Sequence, residues 1–259
     1  MIILLRGHIR RSFGSDRLYH FIRNLCRYNK DVEIYIHTWN IIQSNVSWRP
    51  VEKKEIVITM DLINRYFRDC APFIKKIIID DDNLIKLNGN TIGIINGTQC
   101  PIIGWKNYWY GQYQIMNYIY SNFSGKDNNR VIINLRFDIF INPHGFIERD
   151  IVNFINKNKQ DLLTENKFLY DKFFVGCDNC FIGNIDTMHN LIERFHFHLD
   201  SILSKFKIIK HQEGLVMIEN SILFNSNNKI TIKDVVSYGD RHQKLRTLHF
   251  ANYSMQKIN

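Results

Sequence analysis

RVIINLRFDIFIN, residues Arg130–Asn142, is the stretch whose reading decides the fold. Val131, Ile132 and Ile133 form an apolar run of the kind found in strands covered on both faces. The run then places Arg136 and Asp138 two apart, before Ile139, Phe140 and Ile141 resume it. Side chains two apart on an extended segment share a face, so the pair is expected to point the same way. Burying charge at a strand end costs free energy unless something compensates it. Two arrangements satisfy this: an internal ion pair, or a ligand site in which Asp138 holds a divalent cation and Arg136 an anionic group.

Working outward, three further runs read as strands. Met1–Leu5 stops at the basic turn Arg6–Arg11, Glu33–Thr38 ends in His37–Asn40, and Lys76–Ile79 ends in three consecutive acids, Asp80–Asp82. Between them, apolar residues recur at helical spacing at Leu18, Phe21, Ile22 and Leu25, and again at Leu62, Ile63, Tyr66 and Phe67 behind a capping Thr59. Strands alternating with helices predict an α/β fold with a mainly parallel central sheet and helices on both faces. In such sheets ligands sit beyond the carboxyl ends of the strands. That places Arg6, His8 and Arg10 where a phosphate-bearing ligand would be met, with Thr38 and Trp39 beside them. Trp39 suits stacking on a base or sugar, and equally well packing. Asp80–Asp82 suits a metal or an exposed acidic turn.

Residues 88–101, rich in Gly, Asn and Thr, read as a long loop leading into the aromatic cluster Trp105, Tyr108, Trp109 and Tyr110. We expect this cluster in a loop, as a stacking wall or the seal of a core edge, before a helix bearing Ile115, Met116 and Ile119. Beyond Asn142 a helix with Ile147, Ile151, Phe154 and Ile155 follows, and the polar segment Lys157–Asn166 marks a boundary. The chain divides into halves 1–156 and 157–259, the second ending in a basic tail, within one compact domain. Short strands at Phe173–Val175 and Phe181–Ile182 flank Asp178, a long helix spans Ile185–Phe206, and another spans Leu215–Phe224. An edge strand is expected at Ile230–Val235.

The 259 residues carry a net charge of +9, which favours polyanionic partners. The basic residues are scattered in short doublets, and no nucleic-acid partner is expected. Five widely spaced cysteines suit a reducing, cytoplasmic setting, and Cys177 and Cys180, though in C-x-x-C spacing, read as two buried thiols. No apolar run reaches the roughly 20 residues of a membrane span. The basic balance is compatible with peripheral contact with an anionic membrane, although no amphipathic helix stands out. Neither G-x-G-x-x-G after the first strand nor G-x-x-x-x-G-K-[ST] is present, so Rossmann dinucleotide and P-loop readings lack their anchor.

LLRGHIRRSF (Leu4–Phe13), IYIHTWN (Ile34–Asn40), a helix bearing Gln112 ahead of the strand with Arg136-x-Asp138, and DNCFIG (Asp178–Gly183) together resemble a glycosyltransferase family. Its members occur in bacterial capsule and lipopolysaccharide gene clusters and in large viruses. The resemblance implies a Rossmann-like GT-A fold, with a nucleotide-sugar-binding half and an acceptor half. It implies a nucleotide-diphosphate sugar donor and a glycan or lipid-linked glycan acceptor; the cysteines and the basic surface, read separately, suit a cytoplasmic location at the inner face of the membrane. Arg6, His8, Arg10, Thr38, Trp39, Gln112 and Arg136 then become donor-binding candidates. Asp138 matches the acid that binds Mn²⁺ or Mg²⁺ on the diphosphate, but Arg136 stands where the first acid of the usual D-x-D would be. Arg136 therefore suits neutralising the diphosphate itself. An attacking acceptor hydroxyl needs a base, and Asp178 and Glu213 are the candidates. Two alternatives stay open: transfer of a phosphoryl-type group to a glycan, and a non-enzymatic carbohydrate- or nucleic-acid-binding module using the aromatic cluster.

Overall fold

A computed structural model of the chain describes residues 1–29, 31–46, 51–95, 98–123, 130–141, 147–149, 151–153, 155–156, 173–176, 180–209 and 212–223. In chain order the elements are β1 (Ile2–Arg6), α1 (Arg17–Tyr28), β2 (Glu33–Trp39), β3 (Ile41–Gln43), β4 (Lys54–Val57), α2 (Met60–Phe67) and β5 (Ile74–Asp80). There follow α3 (Ile102–Phe123), β6 (Val131–Arg136), β7 (Phe173–Gly176), β8 (Cys180–Asn184), α4 (Ile185–Lys205) and α5 (Gln212–Leu223). The described residues among 148–156 are also helical.

Six strands make one sheet in the order β5-β2-β1-β6-β8-β7. The first four are parallel, while β8 runs antiparallel to β6 and β7 antiparallel to β8. The protein is thus α/β with a mostly parallel sheet, and strands from both sides of the expected 156/157 boundary share it. Continuous apolar runs arise because both faces are covered. Ile3, Leu5, Ile34, Ile36, Ile133 and Leu135 pack against Leu18, Phe21 and Ile22 of α1 and Ile63 and Phe67 of α2. Ile2, Leu4 and Ile132 on the opposite face pack against Trp109, Ile115 and Met116 of α3 and Met188, Leu191 and Phe195 of α4.

Helix starts follow their local chemistry. Thr59 Oγ1 accepts from the Leu62 N–H at 3.2 Å, and Asn184 Oδ1 from the Thr187 N–H at 2.8 Å, each satisfying an orphan donor of a first turn.

Two expectations need correction. The aromatic cluster lies inside α3, where Trp105 and Trp109 are buried core residues, so it forms no exposed stacking wall. Trp109 stacks on Phe195 with centroids 4.3 Å apart. The central strand stops at Arg136, and Phe137–Ile141 turns away instead of resuming as strand. Beyond Asn40 the chain continues into β3, paired antiparallel with β4. Residues 230–235, the tail from Tyr238, Cys177 and Asp178 lie outside the described residues.

Candidate functional site

The chain passes from β1 outward to β2 and β5, then returns to the other side of β1 to form β6. Strand order reverses there, and the gap between the carboxyl ends of β1 and β6 is the place where open α/β sheets bind ligands. Both strands deliver charge to it. Gly7, with φ +93°, turns the chain sharply off β1 in a conformation that favours glycine. Thr38 Oγ1 donates to the Gly7 carbonyl at 3.0 Å and the Gly7 N–H reaches the His37 carbonyl at 3.2 Å, fixing the exit. Arg10 sits at φ +54°, a left-handed conformation that costs a non-glycine residue free energy, with its N–H held by the Ile42 carbonyl at 2.8 Å.

The result is a three-residue ion cluster assembled across 128 positions of sequence. Arg136 Nε donates to Asp138 Oδ1 at 2.8 Å and Nη2 to Oδ2 at 2.8 Å, while Arg10 Nη1 donates to Oδ2 at 2.7 Å. Asp138 is buried, whereas the two arginine side chains keep about a quarter and a fifth of their surface. Burial alone would push the Asp138 carboxyl up, but Arg136 and Arg10 hold it down to about 2. Within these three residues one carboxylate faces two guanidinium groups, so the trio carries one net positive charge. Arg17 steadies the turn by donating to the Phe140 carbonyl at 2.8 Å and pairing with Glu148 at 2.8 Å.

Beside the cluster stands an aromatic column. His8 stacks on Trp39 at 5.7 Å between centroids, and Trp39 stacks on Tyr110 of α3 at 6.1 Å. Burial and the neighbouring Arg10 push the His8 imidazole down to about 3, so it is neutral. His37, fully buried, meets Trp39 edge-on and pairs through Nε2 with Asp80 Oδ2 at 3.1 Å. The Tyr110 hydroxyl also bonds Asp80, and burial together with that carboxylate pushes it up to about 12. Asp80 is therefore committed to the column.

Two expected ligand contacts lie inside the protein. Arg6 is 2 % exposed, its guanidinium 4.5 Å over Tyr108 and its Nε donating to Asn134 Oδ1 at 2.8 Å. Asn134 in turn donates to Gln112 Oε1 at 2.9 Å. Arg6, Asn134 and Gln112 form a buried chain behind the switch point and brace β1, β6 and α3 together. Asn134 was not singled out from the sequence, although a polar residue inside the run Val131–Leu135 was the available signal. Thr38 and Trp39 are also buried, the first as a brace and the second as the middle of the column. Of the expected donor-binding residues, His8, Arg10 and Arg136 gather near Asp138. Glu213 lies in α5 with its side chain outside what is described.

The surroundings of Asp138 do not suit a resident divalent cation. Such a cation would sit directly against two guanidinium groups that already bond both carboxylate oxygens. Among the described residues no group of three or more His, Cys, Asp or Glu side chains is arranged to hold a metal. No protein-family model matches the chain, and comparison with curated proteins and with solved structures finds no match. Among the described residues no helix is long and apolar enough to cross a membrane.

Proposed function

We propose that the protein is a nucleotide-sugar glycosyltransferase of GT-A type, transferring a sugar from a nucleoside-diphosphate donor to a glycan acceptor. The observation that carries this is the Arg10–Asp138–Arg136 cluster at the switch point of the sheet. Expelling a nucleoside diphosphate builds negative charge, and guanidinium groups aimed at it in a partly desolvated setting stabilise the transition state. Arginine forks also match phosphate oxygens in shape. Asp138 acts as the organiser that holds two like charges side by side before the donor arrives. His8 and Tyr110, half-buried on either side of Trp39, offer a neighbouring surface of aromatic character for the rest of the nucleotide. Asp178 and Glu213 are the proposed candidates for the base that activates the acceptor hydroxyl. The thiols of Cys26, Cys70, Cys100 and Cys180 are buried, which fits the proposed cytoplasmic, reducing setting.

The test is thermal unfolding with each common nucleoside diphosphate, in EDTA and in Mn²⁺. A shift that survives EDTA and is lost in an Arg10→Ala/Arg136→Ala variant is the expected outcome. A shift seen only with Mn²⁺ and abolished by Asp138→Ala would replace the arginines with a metal. No shift with any nucleoside diphosphate would overturn the proposal.

A further inference from the structure

We propose that the carboxyl edge of the sheet docks on an anionic lipid bilayer through a patch built from the loop before α3 and the carboxyl end of α4. Helices α3 and α4 run antiparallel, since Trp109 meets Phe195, Tyr113 meets His196 and Tyr120 meets His189. The amino end of α3 lies at the carboxyl edge, because Tyr108 covers Arg6 and Tyr110 reaches Trp39. Helix α4 starts just after its cap Asn184, which pairs with Val131 at the opposite edge, and so ends beside the start of α3. The patch therefore shares an edge with the Arg10–Asp138–Arg136 cluster.

Its composition is unusual for a surface. Ile94, Ile95, Ile102, Leu203, Phe206 and Ile209 line an open groove of about 160 Å³, with Lys207 at its side. Around it Ile92, Ile94 and Ile208 are 82, 61 and 60 % exposed. The loop is firmly held: the Ile92 N–H bonds Asn90 Oδ1, the Asn90 N–H bonds Asp200 Oδ2, and the Ile102 N–H bonds the Gly93 carbonyl, each at about 3 Å. The isoleucines are thus displayed on an anchored loop. Residues 83–95, 98–109 and 201–209 contain Lys86, Lys106, Lys205 and Lys207; the acids at their margins are Asp81 and Asp82, where the loop leaves β5, and Asp200. Lys106 is taken up by Asp200, the nearest acid, at 2.9 Å, which neutralises that carboxylate. Lys86, Lys205 and Lys207 are exposed.

Projecting isoleucines flanked by lysines match a membrane interface, where the apolar groups enter the headgroup boundary and the cations meet anionic lipid. A protein partner fits less well, because protein interfaces are depleted in lysine. Docked this way, the protein would meet an acceptor carried at the membrane surface. Docking does not depend on the glycosyltransferase reading, and vesicles without nucleotide test it separately.

The experiment is flotation of the full chain with vesicles of phosphatidylcholine alone and of equal parts phosphatidylcholine and phosphatidylglycerol. Flotation with the anionic vesicles only, reversed by high salt, is the expected result. Each lysine near such a surface contributes roughly fivefold to partitioning, so Lys205→Glu/Lys207→Glu should lower it by more than tenfold. Ile92→Asp/Ile94→Asp should abolish it, while Ile56→Asp on the exposed strand β4 should leave it unchanged. These positions are exposed, so unaltered melting curves are expected for all variants. Recovery only in the soluble fraction, equal flotation with both vesicles, or undiminished flotation of Ile92→Asp/Ile94→Asp would overturn the proposal.

Discussion

Replacing Asp138 by asparagine removes one charge at nearly constant volume, and its cost can be worked from the site. The ordinary aspartate value of 3.8 is held at about 2 in the folded protein, which at about 1.4 kcal/mol per pH unit is worth about 2 kcal/mol near neutral pH. The amide adds a second penalty, because it turns one acceptor into a donor facing a guanidinium. Breaking a fully buried pair costs about 3–5 kcal/mol, but Arg10 and Arg136 keep side-chain exposures of 24 and 20 % and regain part of their hydration. We expect Asp138→Asn to lose about 2–3 kcal/mol, a fall in Tm of about 4–12 °C for a chain of this size. The sign of the pH dependence follows from the depressed carboxyl. Its contribution is complete above the unfolded value near 3.8 and is lost as pH falls towards the folded value near 2. Urea titrations at neutral pH and across that acid window measure both quantities. Equal stability of variant and parent at neutral pH, or a charge-derived difference that fails to shrink in acid, would refute the account of Asp138 as a buried counter-ion.

Two further expectations concern the supports of the site. A Cβ on Gly111 would lie 2.5 Å from the ring of His37; Gly→Ala inside a helix normally gains about 0.5–1 kcal/mol, but here we expect a loss of about 1–3 kcal/mol, and a gain by denaturant unfolding would refute the close packing. Asn134→Ala removes the acceptor of Arg6 and the donor to Gln112; a loss of about 2–3 kcal/mol with unchanged denaturant slope is expected, and a loss below about 0.5 kcal/mol would show that the buried chain braces nothing.

How much of this was legible in the sequence depends on how local each signal was. β1 and β6 were legible because a strand covered on both faces has no choice but an apolar run, and β2 and β5 because their short apolar segments end in polar clusters. The start of α2 was legible because Thr59 caps its own helix. The aromatic half of α3 was not. Trp105, Tyr108, Trp109 and Tyr110 put large rings on several sides of the helix and blur its period. Gly111 reads as a helix breaker until the approach of His37 explains it. β4 gave no pattern because all four of its residues are exposed. At the site, the sequence supplied the near partner of Asp138 and missed the far one. Arg136 is two residues away, but Arg10 reaches Asp138 only because β1 and β6 are neighbours with Arg6 opposite Arg136. Arg6 and Gln112 were placed with the ligand because a polar residue at a strand end or helix start does not reveal which way it faces. Their inward course is set by Asn134.

A net charge of +9 pulls any polyanion towards this protein, so charge alone cannot say which surface does what; burial separates the two. At the switch point the cations are fixed by a buried carboxylate and partly withdrawn from water, so salt screens their field weakly. At the patch before α3, Lys205 and Lys207 are exposed, and their attraction to a charged surface fades over about a Debye length, roughly 10 Å at 0.1 M salt. Raising salt should therefore strip the protein from anionic vesicles well before it weakens a nucleoside diphosphate held by Arg10 and Arg136. If both interactions were lost together along one salt titration, the diphosphate would be meeting surface charge rather than an organised pair of arginines. The role given to Asp138 would then have no ligand to serve.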